Sequence, residues 1–195
     1  FLKPGEDKKN FKEWVDARFA WYGSIGLKNV RKREQKKDER AHYAKATVDI
    51  EYEFPFGWQE IEGVANRGDF DLTAHAKASG EDLSYFDEAT KERYVPYVIE
   101  PSAGVERIAL ALLCEAYAEE PMANGEKRIA LKLHPKMAPV KVAVFPLLAN
   151  KPDLVKLARK IYDELKQEFT VAWDDRGNIG KRYFSQDEIG TPYCV

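Results

Sequence analysis

TVDIEYEFPFGWQEIEGV, residues 47–64, carries a hydrophobic pattern with a period of two. Val48, Ile50, Tyr52 and Phe54 alternate with Thr47, Asp49, Glu51 and Glu53, so an extended chain here has one apolar face and one polar face. Such alternation predicts a half-buried antiparallel strand. Pro55, Phe56 and Gly57 turn the chain, and WQEIEGV, residues 58–64, reads as the returning strand. The sheet in this half of the chain is therefore expected to be antiparallel, with helices against it.

Upstream, Asn10 and Glu13 have capping-box spacing, and Phe11, Trp14, Val15, Phe19 and Tyr22 recur at helical intervals. They predict an amphipathic helix ending near Gly23 or Gly26. The charge run RKREQKKDER, residues 31–40, reads either as a solvated loop or helix face or as a contact with a phosphate backbone. Downstream, YVPYVIE, residues 94–100, is a further strand carrying a proline. Residues 122–139 are irregular, with turn residues around a short apolar run, and mark a domain boundary. VKVAVFPL, residues 140–147, is then a strand, and Pro152 opens a helix with Leu154, Val155, Ala158, Ile161, Tyr162 and Leu165 on one face. TVAWDD, residues 170–175, is a second strand, residues 180–190 a short polar helix, and TPYCV the start of a third strand. Strands alternating with helices imply a mostly parallel α/β domain. GNIGKR, residues 177–182, is not a phosphate loop: an early Gly is missing, and Arg182 stands where Ser or Thr would hold the metal.

With 195 residues, 44% of them apolar, the chain can form one large or two small domains. Charged residues make up 33% and leave a formal net charge of −2, so any nucleic-acid contact has to come from a local patch. Cys114 and Cys194 lack zinc-like spacing, which fits a reducing, intracellular setting. No apolar run approaches the roughly 18 residues of a membrane span, and no signal-peptide pattern opens the chain, so a soluble protein is expected. The opening FLKPG, without Met, leads us to expect a piece of a longer protein. His42, His75 and His134 have no metal spacing, and no Ser/His/Asp or Cys/His nucleophile is readable. Positioned cations and a bound metal suit the residues better.

VIEPSAGVERIALALLCEAY, residues 98–117, reads as a strand, a tight turn and a helix that is apolar at every position from 108 to 114. Such a helix is expected to be wrapped by protein on nearly all sides. Arg107 in its first turn would then point into a crowded region, at a helix end that already carries about half a positive charge. A negative partner is expected. It is either an anion or nucleotide, which Gly104 lets approach the backbone N–H groups, or an internal ion pair with Glu106 or another carboxylate. Glu60 and Glu62, two residues apart, are expected on the same face of a strand. Either a magnesium ion or an ammonium group joins them, or they stand on an exposed edge. Glu100 ends a strand beside the turn, and Ser102 either lines the same site or caps the next helix.

Residues 41–72 and 97–113 together closely resemble the dimeric-type glycyl-tRNA synthetases, class II aminoacyl-tRNA ligases. The second stretch resembles the class II motif 3, and the tail from residue 138 resembles the family's anticodon-binding domain. The resemblance implies an α+β fold: an antiparallel class II catalytic sheet with helices over residues 1–121, a linker at 122–139, and an α/β anticodon-binding domain at 140–195. Arg107 matches the motif 3 arginine that packs on ATP, and Gly104, Val105 and Glu106 match the backbone around it. Glu100, Pro101, Ser102, Ala103 and Gly104 match the glycine pocket, where Glu100 and Ser102 receive the ammonium group. Glu60 and Ile61 match a segment touching ATP, with Glu60 suited to a Mg2+ ion on the phosphates. The implied reaction is attack of glycine on the α-phosphate, giving glycyl-adenylate, then transfer to tRNA(Gly), driven by charge neutralisation and alignment. A small, closed pocket would reject larger amino acids. ATP and Mg2+ are the implied cofactors, a cytoplasmic homodimer the implied state. The family's motif 1 and motif 2 would precede Phe1, so the chain alone is expected to activate glycine weakly or not at all. The competing reading is a non-catalytic, synthetase-like accessory protein that binds nucleic acid.

Overall fold

The computed structural model describes residues 1–123 and 125–195. From the N-terminus it runs through α1 (Asp7–Ser24), β1 (Val30–Glu34), β2 (Ala46–Phe54), β3 (Gly57–Gly68), α2 (Phe70–Ser79), β4 (Tyr85–Asp87), β5 (Glu92–Tyr94), β6 (Val98–Ala103) and α3 (Val105–Ala116). β1, β2, β3 and β6 form one antiparallel sheet in that order, with the expected hairpin at its centre. Pro101 fits within β6 because β6 is an edge strand and its missing N–H leaves no ladder bond broken on the open side. α1 lies against β3 and β6, and Val15, Tyr22, Ile50, Tyr52, Phe54 and Val64 are buried. Burying side chains of this size contributes roughly 1.5–3 kcal/mol each.

The pairing contains one irregularity with large consequences. Ile50 pairs with Glu62 but Glu51 pairs with Glu60, so Ile61 is an extra residue on β3. Such a bulge inverts the alternation beyond it. Glu62 therefore shares the face of Ile50, towards α1, whereas Glu60 shares the opposite face with Glu51. The expectation that Glu60 and Glu62 project side by side is thus corrected. Glu62 is 1% exposed and accepts bonds from Arg18 Nε at 2.6 Å, Arg18 Nη2 at 3.0 Å and the Tyr22 hydroxyl at 2.6 Å. It is a structural acid, fully occupied by α1.

Other readings change as well. α1 starts one turn before the capping-box pair, with Glu6 at its N-cap and no side-chain cap; Asn10 instead donates to Glu6 O at 3.0 Å. The helix end near Gly23 to Gly26 is as expected. The charge run begins as β1, where Arg31 bonds to Glu51 and Arg33 to Asp49. These bonds cover the polar face of β2 at its middle, so Asp49 and Glu51 are 4% and 8% exposed, while Glu53 stays exposed. α3 is not wrapped: Ala111 and Ala116 are buried, but Val105 is 76% exposed and Leu110 and Leu113 are also exposed. An apolar run records that a face avoids water, not which residues cover it.

The chain divides into two compact units, Phe1–Ala111 and Leu112–Val195, with the division inside α3. The second unit opens with β7 (Tyr117–Pro121) and β8 (Lys127–Leu131), an antiparallel pair. β8 occupies part of the stretch 122–139 that reads as irregular. It continues with β9 (Val142–Val144), α4 (Pro152–Leu165), β10 (Val171–Trp173), α5 (Ile179–Ile189) and β11 (Tyr193–Cys194). The last three strands form a parallel sheet in the order β10-β9-β11. Val142, Val144 and Ala158 are its core, with Ile161, Tyr162, Leu165, Val171 and Trp173 packed against them, so the apolar face of α4 is the one that the spacing predicts. Asn178 caps α5 by accepting from Lys181 N–H at 2.9 Å, and Gly190 ends it at φ 79°. A side chain at Gly190 would also meet Leu133 at 2.7 Å. Among the described residues no helix is long and apolar enough to cross a membrane.

Candidate active site

The pairing of four strands lays the site out as rows on the face of the first sheet opposite α1. Arg33, Asp49, Gly63 and Ser102 are successive partners across β1, β2, β3 and β6. Thr47, Ala65 and Glu100 form the next row, and Arg31, Glu51 and Glu60 the row on the other side. The two smallest residues, Gly63 and Ala65, sit in the middle, so the side-chain layer is hollow there. The result is a cavity of about 410 Å³ lined by Asp49, Glu60, Gly63, Arg67, Glu100 and Ser102 among others. A methyl group on Gly63 would come within 3.3 Å of Glu60 Oε1. The cavity's size is that of a small-molecule site.

Its charges are unevenly satisfied. Asp49 accepts from Gln35 Nε2 at 2.8 and 3.0 Å and from Arg33 Nη1 at 3.2 Å. Arg67 holds Asp71 through two bonds, at 2.6 and 2.7 Å, and Glu100 through a third at 2.6 Å, while its guanidinium lies 3.9 Å over the Tyr43 ring. The bond to Asp71 is the main cause that pushes the Arg67 pKa further up, and the same bond holds Asp71 below the usual carboxylate range. Glu60 differs. Burial, then the neighbouring Asp49 carboxylate, raises its pKa above the ordinary glutamate value, against the pull of Arg107. Its position therefore favours a cation.

Arg107 is exposed and donates from Nη1 to the Glu60 carbonyl at 2.7 Å. Its partner within the chain is thus a main-chain oxygen, not the internal carboxylate that was one of the two expectations, and the rest of the guanidinium stays accessible. Gly104 N–H donates to Ile61 O at 3.4 Å, so it is not left open as expected. Glu60, Glu100 and Ser102 converge on the cavity, with Arg107 reaching its Glu60 end. Ile61 is buried in the bulge, and Pro101 and Ala103 point to the other face of β6 by strand alternation. Val105 and Glu106 are exposed and outside the cavity lining. Sequence reasoning missed Asp49, Gly63 and Arg67. The available signal was a run of polar residues on the second face of the hairpin. Among the described residues no three His, Cys, Asp or Glu side chains are grouped to hold a metal ion.

The architecture, an antiparallel sheet with helices followed by a parallel α/β unit, resembles that of class II aminoacyl-tRNA synthetases, whose catalytic sheet is followed by an anticodon-binding domain. Residues 141–195 match the family described as the anticodon binding domain. Giardia lamblia prolyl-tRNA synthetase, solved in complex with prolyl-adenylate, superposes with a TM-score of 0.69 over 98% of this chain and 38% of that one, at 16% identity.

Along its whole length the chain is similar to glycine–tRNA ligases. It is 53% identical over 197 residues to the glycine–tRNA ligase of Caldanaerobacter subterraneus subsp. tengcongensis, covering 100% of this chain and 42% of the relative. The Streptomyces coelicolor enzyme is 52% identical over 204 residues, covering 100% of this chain and 44% of the relative. The chain spans less than half the length of these relatives.

Proposed function

We propose that the chain serves glycine–tRNA ligation: activation of glycine by ATP to glycyl-adenylate, followed by transfer to tRNA(Gly). The observation that carries this reading is the convergence of Glu60, Glu100 and Ser102 on one cavity with Arg107 docked at its edge. Residues 1–121 would supply the rear of the catalytic site, 122–139 the connection, and 140–195 the tRNA-binding unit. Glu100 and Ser102 receive the glycine ammonium group. Arg67, anchored by Asp71, engages one Glu100 oxygen and leaves the other for the substrate. Arg107 packs on the nucleotide, with Gly104, Val105 and Glu106 as the backbone that carries it. Its bond to the Glu60 carbonyl orients the guanidinium before the nucleotide arrives, which is how preorganised charge lowers a barrier. Glu60, which lines the cavity with Asp49, would meet a Mg2+ ion carried in by ATP. The ion would supply charge neutralisation on the phosphates. A cytoplasmic homodimer is the state that belongs to this reading.

Glycine-dependent ATP–pyrophosphate exchange tests it, comparing the chain with one extended upstream by the corresponding segment of a full-length relative. Exchange by the extended chain that is lost on Arg107→Ala is the expected result. An inactive extended chain sinks the reading, and tight tRNA binding without ATP binding would replace it with the accessory protein.

A further inference from the structure

Arg182 stands in the first turn of α5 and is 3% exposed. Of its five N–H groups, four meet main-chain carbonyls. Nε donates to Arg176 O at 2.9 Å, Nη1 to Pro146 O at 2.7 Å, and Nη2 to Asp175 O and Gly177 O, each at 2.9 Å. All four acceptors are neutral, so a full charge is held in the interior by dipoles instead of an ion pair, an arrangement that burial penalises. Asp174, which feels the field of Arg182, is itself bonded to Arg176. So costly a placement calls for a role beyond filling space.

The acceptors identify that role. Three belong to the loop after β10, and the fourth, Pro146, follows β9. β9 and β10 are adjacent and parallel, so both loops leave the sheet at its carboxyl end. In open α/β sheets that end is where ligands bind. Arg182 ties the two loops into one rim, and a planar fork is needed to reach acceptors in both. On these loops and the first turns of α5, Leu147, Leu148 and Tyr183 are exposed and the Arg176 side chain is 88% exposed. Arg176 is paired with Asp174 at 3.0 Å, so what the rim offers an unpaired RNA loop is apolar and aromatic surface on which bases stack.

We propose that Arg182 is a positioning residue for RNA binding: it sets the spacing of the loops after β9 and β10 and touches no nucleotide itself. The proposal rests on the tRNA-binding reading of this unit. It is tested in the full chain with Arg182→Lys, by residue-resolved hydrogen exchange, thermal melting and affinity for a tRNA(Gly) anticodon stem-loop. The expected result is a cooperative melt, exchange about tenfold faster at residues 146–151 and 174–178, retained protection in β9 and β10, and about tenfold weaker stem-loop binding. Unchanged loop exchange overturns the proposal. So does uniform loss of protection or of cooperative melting, which would make Arg182 purely structural. A wild-type chain that binds the stem-loop, with a variant that binds equally well, overturns the proposal alone. A wild-type chain that ignores the stem-loop overturns the RNA reading and the proposal with it.

Discussion

Two arginines occupy the first turns of two helices, and the molecule treats them in opposite ways. Arg107 on α3 is exposed and makes one bond, to the Glu60 carbonyl. Arg182 on α5 is buried and makes four, to carbonyls of two loops. Both positions are electrostatically poor for a cation, because helix N-termini are already positive. At Arg182 the main chain answers that charge. At Arg107 it answers only one N–H, and the remaining donors are available to an anionic ligand. The same local placement thus yields a structural clamp in one unit and a candidate nucleotide contact in the other.

This contrast is best broken from the buried side. Arg182→Met leaves four carbonyls without their donor and should cost about 3–5 kcal/mol in chemical denaturation, read from probes in the second unit. A loss below about 1 kcal/mol would mean that the four bonds contribute little. Glu62→Gln is the matching test in the first unit, expected to cost about 3 kcal/mol because Glu62 is buried against Arg18 and Tyr22. Tyr22 adds a pH signature there. Burial, then Glu62, raises its pKa well above the ordinary tyrosine value, so the folded state holds the phenolic proton more tightly than the unfolded state. Stability from this group is full below about pH 10 and falls as pH rises beyond it. Tyr22→Phe should flatten that alkaline loss in pH-dependent melting curves.

The exposed side should respond in function instead. Arg107→Ala should change stability by no more than about 0.5 kcal/mol. In a chain competent for exchange, it should lower glycine-dependent exchange by about a hundredfold or more. Equal losses in melting and exchange would erase the distinction between the two arginines. Glu60→Gln should have the smallest effect on folding. Its raised pKa means that the folded protein disfavours the ionised form, and this destabilisation is present at neutral pH and fades as pH falls through the folded pKa. The variant should therefore melt at or slightly above the wild-type temperature. A clear drop would show that Glu60 is a structural acid like Glu62.

Much of the fold is legible in the sequence because it follows from local periodicity. The alternation at residues 47–54 marks β2, and the spacing of Leu154 to Leu165 marks the buried side of α4. The site is legible only where its residues stand near a recognisable turn, as Glu100, Ser102 and Arg107 do. Arg67 escapes because its partners Asp71 and Glu100 lie on α2 and β6, and only the fold brings them to one guanidinium. Arg182 registers in the sequence only as a residue unsuited to a phosphate loop, although its Pro146 acceptor, 36 residues away, explains it.

By itself the sequence determines the antiparallel hairpin, the α/β tail and the likeness to glycine–tRNA ligases, because these are written in periods and stretches of adjacent residues. The tertiary structure alone decides which face each acid takes and whether each arginine meets solvent. One extra residue, Ile61, separates Glu60 from Glu62 by moving them to opposite sides of the sheet. Alternation can specify two faces, but the register with a neighbouring strand selects between them, and the fate of a buried charge depends on acceptors that distant segments deliver.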